Sequence, residues 1–312
     1  MKPVDVIWMN GEFVPWADAK VHVLTHALHY GSGVFEGIRA YDTASRGTAV
    51  FRLTDHLKRM ENSARIYEME MPYTVDELRD VTFETIRRND LASCYVRPIA
   101  YRGFGELGIF PLTSPVDVAV AVWEWGAYLG EEGLEKGIRA TFSSYRRIAA
   151  SALPGEAKAC GQYLNSILAK LEAHHRGFDE ALLADEHGTF AEGTGENLFV
   201  VRNGEVFTPP FESNVLPGIT RDTVITLLKD RGISVQPKRL TRGDILLADE
   251  LFLTGTAAEV TPIREIDGRD FGGRGEITTI AQDAFFAVVR GEDDRYAHWL
   301  EPVEAHTAAE AA

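Results

Sequence analysis

Residues 192–221 read EGTGENLFVVRNGEVFTPPFESNVLPGITR, and how this stretch is parsed decides the architecture. NLFVVR and EVFT are rich in β-branched and aromatic residues, and Asn203-Gly204 between them suits a two-residue primed turn, so the centre is a β-hairpin. In front of it stands AEGTGE, where Glu192 sits between two strand signals and is followed by glycines that allow a planar group close to the backbone. Behind it, Gly218-Ile219-Thr220 opens a helix. The first amides of a helix have no intrahelical acceptor and lie at the positive end of its dipole, so those of Ile219 and Thr220 form an anion site.

Working outward, LPGITRD leads into a helix that runs to about Arg231 and stops at Gly232. The strand ELFLT then delivers TGTAAE, where the turn Gly255-Thr256-Ala257 offers two more amides and a hydroxyl to the same or an adjacent anion. Upstream, a helix over 162–175 places Leu164, Ile167, Leu168 and Leu171 on its apolar side and ends at Gly177. Just before it, LPGEAKACGQY sets Lys158 among Ala157, Ala159, Cys160 and Gly161. A solvated surface lysine is the ordinary reading of such a residue, and a turn glutamate the ordinary reading of Glu192. A lysine, a carboxylate and two anion cradles taken together describe pyridoxal phosphate, which needs a Schiff-base amine, a partner for its pyridine nitrogen and a phosphate anchor.

The first half reads as an α+β unit. VIWM-NG-EFVPW is a hairpin, FEGIRAY and TAVFRL are strands around the turn-rich DTASRG, and Thr54 is the expected cap of a helix with Leu57, Met60, Ala64 and Tyr67 on its apolar face. Thr74-Val75-Asp76-Glu77 is a capping box. CYVRPIAY and VDVAVAVW are strands, the second expected to be buried on both faces. Pro98 in the first marks an edge or an irregularity, and alternation puts Tyr95 and Arg97 on one face. The expected division is a small domain over 1–125, an interdomain loop over 126–137 (GAYLGEEGLEKG), and a large domain over 138–312 that carries Lys158, with a frayed tail from about residue 303.

Bulk properties exclude several classes. The chain has 312 residues, 45% hydrophobic and 25% charged, with a formal net charge of −15. Such an acidic chain has no sequence-independent grip on nucleic acid or an anionic membrane surface. The two cysteines, Cys94 and Cys160, fit neither a disulfide framework nor a zinc site, so no metal is expected. Neither a signal peptide nor a membrane-spanning run is evident, and the expected location is a reducing cytoplasm.

The quoted stretch, from Glu192 to Arg221, resembles the signature of the fold type IV pyridoxal-phosphate enzymes. HALHYGSGVFEGIRAY, YVRP, WGAYLG, EAKACGQYLNS and TGTAAE are similar to motifs of branched-chain amino acid aminotransferases within that class, and the likeness runs from the first hairpin to about residue 300. The resemblance implies a two-domain α+β fold, D-amino-acid aminotransferase-like, with the active site at the domain interface. It implies that Lys158 forms the Schiff base and carries the proton, that Glu192 keeps the pyridine nitrogen protonated, and that Tyr163 bonds the cofactor's phenolic oxygen. Arg59, Ile219, Thr220 and Thr256 would hold the phosphate.

The substrate pocket is implied in the same way. Phe35, Gly37, Tyr95, Arg97 and Tyr128 would line it, Tyr30 and Ile109 would come from a neighbouring subunit, and the amides of Thr256 and Ala257 would hold the α-carboxylate. The implied reaction is ping-pong transamination of L-leucine, L-isoleucine and L-valine with 2-oxoglutarate in a homo-oligomer, at least a dimer. A D-amino-acid or R-amine transaminase and an aminodeoxychorismate lyase would use the same lysine with another pocket. A scaffold that only binds an anionic metabolite would need neither Lys158 nor Glu192. Glu106, in the loop 101–111, is either solvent-facing or a partner for Arg97.

Overall fold

The computed structural model describes residues 2–44, 46–126 and 128–303; the tail expected to fray lies almost wholly outside them. It is a mixed α/β fold of two compact units. The first unit comprises the chain through Trp125, the short segment Ala157–Gly161, and the chain from Ala287 onward; the second comprises Gly126–Glu156 and Gln162–Phe286. The large domain expected over 138–312 is therefore corrected at two places, and Lys158 belongs to the first unit. Hydrogen bonds give the reason. Phe35 N–H donates to the Lys158 carbonyl at 3.1 Å, Gly161 N–H to the Gly31 carbonyl at 3.2 Å, and Val34 bridges Ala159.

The first unit is built on a sheet ordered Leu300–Pro302, Gly47–Phe51, Ile38–Thr43, Cys94–Arg102, Val116–Trp123, Val6–Met9, Glu12–Pro15, with Gly33–Phe35 also paired to Cys94–Arg102. Asn10 and Gly11 both take positive φ, 50° and 96°, as a primed turn requires. Leu57, Met60 and Ala64 of the helix Leu53–Ile66 are buried in one core with Ile38, Val50, Val96 and Val120. The helix Val75–Arg88 begins with the expected capping box, Thr74 with Glu77.

Two expectations about this unit need correction. Thr54 is not the helix cap: Arg52 is, in the left-handed region at φ 51°, and the Glu301 carboxylate accepts from Thr54 N–H at 2.7 Å and its hydroxyl at 2.8 Å. A distant acid thus does what a local hydroxyl was expected to do. The strand Val116–Trp123 is not fully buried on both faces; Val118, Val120 and Val122 are buried while Ala119 and Ala121 are half-buried. Of the two places allowed for Pro98, an edge or an irregularity, the structure has the second: it lies in a central strand, opposite the break where its neighbour changes from Gly33–Phe35 to Ile38–Thr43. No ladder donor is needed there, and the Pro98 carbonyl accepts from Glu36 N–H at 2.9 Å.

The second unit carries a sheet ordered Phe190–Glu192, Glu180–Ala184, Ile138–Arg146, Glu259–Ile266, Glu250–Gly255, Asn197–Arg202, Glu205–Thr208, Val235–Pro237. Ile138–Arg146 pairs in parallel with both neighbours. The stretch expected as a loop over 126–137 contains a short helix, Glu131–Lys136. The helix Tyr163–His175 buries Ala169 and Ala173, whereas Leu164, Ile167, Leu168 and Leu171 are 67%, 52%, 45% and 47% exposed. Among the described residues no helix is long and apolar enough to cross a membrane.

Candidate active site

In the second unit the three segments picked out by sequence meet at one end of the sheet. Glu192 stands opposite Asn197 in the ladder, and Asn197 opposite Thr254. The Asn197 side-chain amide donates to the Leu216 carbonyl at 3.0 Å, and Leu216 N–H donates back to Glu192 Oε2 at 3.1 Å. Gly218 then caps the helix Ile219–Lys229 with no side-chain bond at the cap. A Cβ on Gly218 would fall on the Asn197 amide oxygen, so glycine is what lets the helix start press against the strand. Thr256 and Ala257 form the half-buried turn after Glu250–Gly255, and the buried Thr254 hydroxyl just before it has no hydrogen-bond partner.

Glu192 is held from two sides. Besides Leu216 N–H, Arg147 Nε lies 2.6 Å from Glu192 Oε1, both side chains nearly buried. This is an ion pair without an aligned hydrogen bond, since Arg147 Nε is left without an acceptor in good geometry. Arg147 also reaches Gln162 Oε1 at 3.5 Å, next to Tyr163 at the start of its helix. The second glutamate of the motif, Glu196, is buried near Glu180 and Glu192. Burial and those like charges push its carboxyl well above the ordinary range, against the pull of Lys170.

In the first unit one helix gathers another set. Lys158 N–H donates to Ser63 Oγ at 3.0 Å, and Ser63 Oγ donates to the Arg59 carbonyl at 2.8 Å. Arg59 pairs with the fully buried Glu36, Nε to Oε1 at 2.7 Å and Nη2 to Oε2 at 2.8 Å, and His56 Nδ1 meets Glu36 Oε2 at 2.7 Å. Burial alone would raise the Glu36 carboxyl; the charge of Arg59 and the hydrogen bonds of Arg59 and His56 outweigh it and hold it well below the ordinary carboxylate range. Burial likewise lowers His56, outweighing the attraction of Glu36, so its ring is held neutral.

Lys158 Nζ lies 5.1 Å from the centre of the Phe35 ring. Arg97 is boxed by aromatics, its guanidinium carbon 4.7 Å from Phe35, 5.3 Å from Tyr95 and 5.8 Å from Trp123. Its Nε is buried and has no hydrogen-bond partner. Gly37 is required beside this box, because a Cβ there would fall on the Tyr95 hydroxyl. Tyr30, Ile109 and Tyr128 are exposed, at 51%, 91% and 40%. Glu106 is exposed and takes the Thr113 hydroxyl at 3.1 Å inside its own loop. Burial raises the Cys160 thiol above its ordinary value, against the pull of Arg97 and Lys158.

The comparisons with known proteins agree with one another. The family profile for class IV aminotransferases matches residues 33–266. The branched-chain-amino-acid aminotransferase of Escherichia coli (strain K12) is 48% identical over 305 residues, covering 97% of this chain and 98% of that protein. The chain belongs to the class IV aminotransferases. Two solved structures of a T.th. branched-chain amino acid aminotransferase superpose closely. The one with pyridoxamine 5'-phosphate has a TM-score of 0.93 at 50% identity, covering 97% of this chain and 100% of that one. The one complexed with N-(5'-phosphopyridoxyl)-L-glutamate has a TM-score of 0.91 at 49% identity, covering 96% and 99%.

Within this class IV aminotransferase, the donor set suits the family's cofactor. In the second unit, a held carboxylate, a glycine-capped helix start and an unpaired buried threonine hydroxyl suit a pyridine ring bearing a phosphate. Among the described residues no group of His, Cys, Asp and Glu could hold a metal ion. Sequence reasoning passed over Glu36, His56, Ser63, Arg147 and Asn197. The spacing His56-x-x-Arg59-x-x-x-Ser63 is one helical face and could have flagged the first group. Arg147, inside YRRIAA, gave no signal at all.

Proposed function

We propose that this chain transfers the amino group of L-leucine, L-isoleucine and L-valine to 2-oxoglutarate, by a ping-pong reaction with pyridoxal phosphate. The cofactor supplies an electron sink and a reversible carrier for the amino group. Lys158 Nζ would hold the cofactor and, once released from it, would move the proton at the substrate α-carbon. Glu192 holds a proton on the pyridine nitrogen, and Arg147 and Leu216 N–H keep that carboxylate in place. Arg59, Ile219, Thr220 and Thr256 take the phosphate, and Tyr163 the phenolic oxygen.

The observation that carries this reading is the meeting of a pinned carboxylate, a glycine-capped helix start and a hydroxyl-bearing strand end around Glu192, Gly218 and Thr254. Substrate choice follows from the aromatic box. Phe35 and Tyr95 offer apolar walls to a branched side chain, while the partnerless Arg97 Nε supports pairing with the distal carboxylate of glutamate or 2-oxoglutarate. The amides of Thr256 and Ala257 hold the α-carboxylate. The exposure of Tyr30 and Ile109 supports their service in a second copy's pocket, and so a dimer at least. A cytoplasmic location belongs to the same proposal, in keeping with two unpaired cysteines.

A coupled assay over L-Leu, L-Ile, L-Val, L-Glu, D-Ala and R-1-phenylethylamine, each with 2-oxoglutarate or pyruvate, tests this. The branched L-amino acids are expected to react with 2-oxoglutarate, and Lys158→Ala to abolish turnover together with the borohydride-sensitive visible band. Turnover of D-alanine without L-leucine would reassign the substrate, and a protein that stays colourless after reconstitution would sink the reading.

A further inference from the structure

Glu36 stands between Phe35 and Gly37, two residues given to the substrate pocket, yet its side chain has no part in the reaction proposed for them. It is fully buried and its backbone N–H is committed to the Pro98 carbonyl. An ionised carboxylate withdrawn from water is tolerated only when paired and hydrogen-bonded. Here the pairing is unusually complete: Arg59 Nε and Nη2 donate to its two oxygens at 2.7 and 2.8 Å, His56 Nδ1 lies 2.7 Å from Oε2, and Gly37 N–H donates to Oε2 at 3.3 Å.

Two parallel bonds from one guanidinium to one carboxylate fix the plane of the guanidinium as well as its position. A lone lysine or a singly bonded arginine would leave that plane to fluctuate. The same helix carries Ser63, whose hydroxyl joins the Arg59 carbonyl to the Lys158 N–H. Arg59 is therefore fixed at both ends: its backbone to the lysine segment, its side chain to Glu36.

We propose that Glu36 is the positioning residue for the cofactor phosphate, holding the Arg59 guanidinium in the plane in which it meets the anion, with His56 holding Glu36 in turn. This rests on the reading that Arg59 binds the phosphate. The carboxylate has two opposed effects. It orders the arginine, and its negative charge subtracts from the attraction for the phosphate. The fork geometry in a fully buried place argues that order wins, and the sign of the measured change decides the matter.

The test uses the full chain stripped of cofactor, with pyridoxal phosphate, inorganic phosphate and phosphate-free pyridoxal as probes, and wild type beside Glu36→Gln, Arg59→Gln and the double variant. The glutamine keeps the volume but turns an N–H toward the donors of Arg59 and His56. Affinity for pyridoxal phosphate and inorganic phosphate is expected to fall about 10- to 100-fold, the range seen when an outer partner of a binding group is removed. Pyridoxal affinity should hold within about threefold on the same grounds, and the double variant should bind no more weakly than Arg59→Gln alone.

Unchanged or tighter phosphate binding by a folded Glu36→Gln, an equal loss for pyridoxal, or additive losses in the double variant would each overturn the proposal. If Glu36→Gln does not fold, His56→Gln takes its place and should show a smaller loss of the same phosphate-selective kind; no loss there counts against the proposal equally. Failure of wild type to bind pyridoxal phosphate at all would instead remove the cofactor reading beneath it.

Discussion

The helices Leu53–Ile66 and Tyr163–His175 carry similar apolar stripes and meet opposite fates. In the first, Leu57, Met60 and Ala64 are buried, and a second stripe one step around the helix, His56, Arg59 and Ser63, is turned inward to Glu36 and to the Lys158 segment. In the second, Leu164, Ile167, Leu168 and Leu171 face outward, and the helix rests on its small residues Ala169 and Ala173. The difference teaches that periodicity tells which residues share a face but not what covers it. Alanine lets a helix approach a sheet closely, and the sheet then selects that face whatever leucines lie elsewhere. It also teaches that a polar residue at helical spacing can be more deeply buried than a leucine, if partners await it.

The comparison can be broken by substitution. Leu57→Ala should have the largest effect, a loss of about 2–5 kcal/mol in chemical denaturation, because it opens a cavity in a filled core; a loss near zero would mean that this face is not covered as described. Acid should come next. The His56 ring is held neutral, its folded value lowered from 6.5, so the unfolded chain takes up a proton that the folded chain refuses. Stability should then fall as pH drops below about 6.5, by up to about 1.4 kcal/mol per pH unit.

Glu36, lowered from 4.5, extends that loss below its own unfolded value. On the second helix Glu172 is also lowered, the bonds of Ser143 and Ser144 outweighing its burial, and it too weakens the fold only below the carboxylate range. Stability curves of wild type and His56→Gln should therefore part between pH 7 and 5 in a folding assay, the variant being flatter. Parallel curves would say that His56 is not held neutral. The smallest effect is expected at Leu164→Ser, within about 0.5 kcal/mol for an exposed site. A larger loss that depends on protein concentration would show that a second copy covers this face and would make the two helices alike after all.

Much of the candidate site could be read from residues 192–221, because glycines, a carboxylate and a helix start are local in sequence and their meeting follows from one hairpin and its neighbouring strand. What escaped was long-range. Arg147 reaches Glu192 from 45 positions away and Glu36 reaches Arg59 across 23, and no local pattern announces either pairing. The same applies to the cap of Leu53–Ile66: Thr54 has the right chemistry in the right place, yet a carboxylate 247 positions along the chain supplies the acceptor. The five-residue segment holding Lys158 shows a further limit. It is flanked on both sides by residues of the second unit, and only its hydrogen bonds to Gly31, Phe35 and Ser63 assign it to the first.

That cap has a consequence for how the molecule is made. The helix that presents Arg59 starts at residue 53, but its first turn is completed by Glu301, and the strand at Gly47–Phe51 gains its outer neighbour only from Leu300–Pro302. On a ribosome, the first unit must wait with an unfinished edge and an uncapped helix while the whole second unit is synthesised. The helix that carries Arg59 is thus completed by residues made after the whole second unit, so a chain cut just before Leu300 loses the closing piece of its beginning.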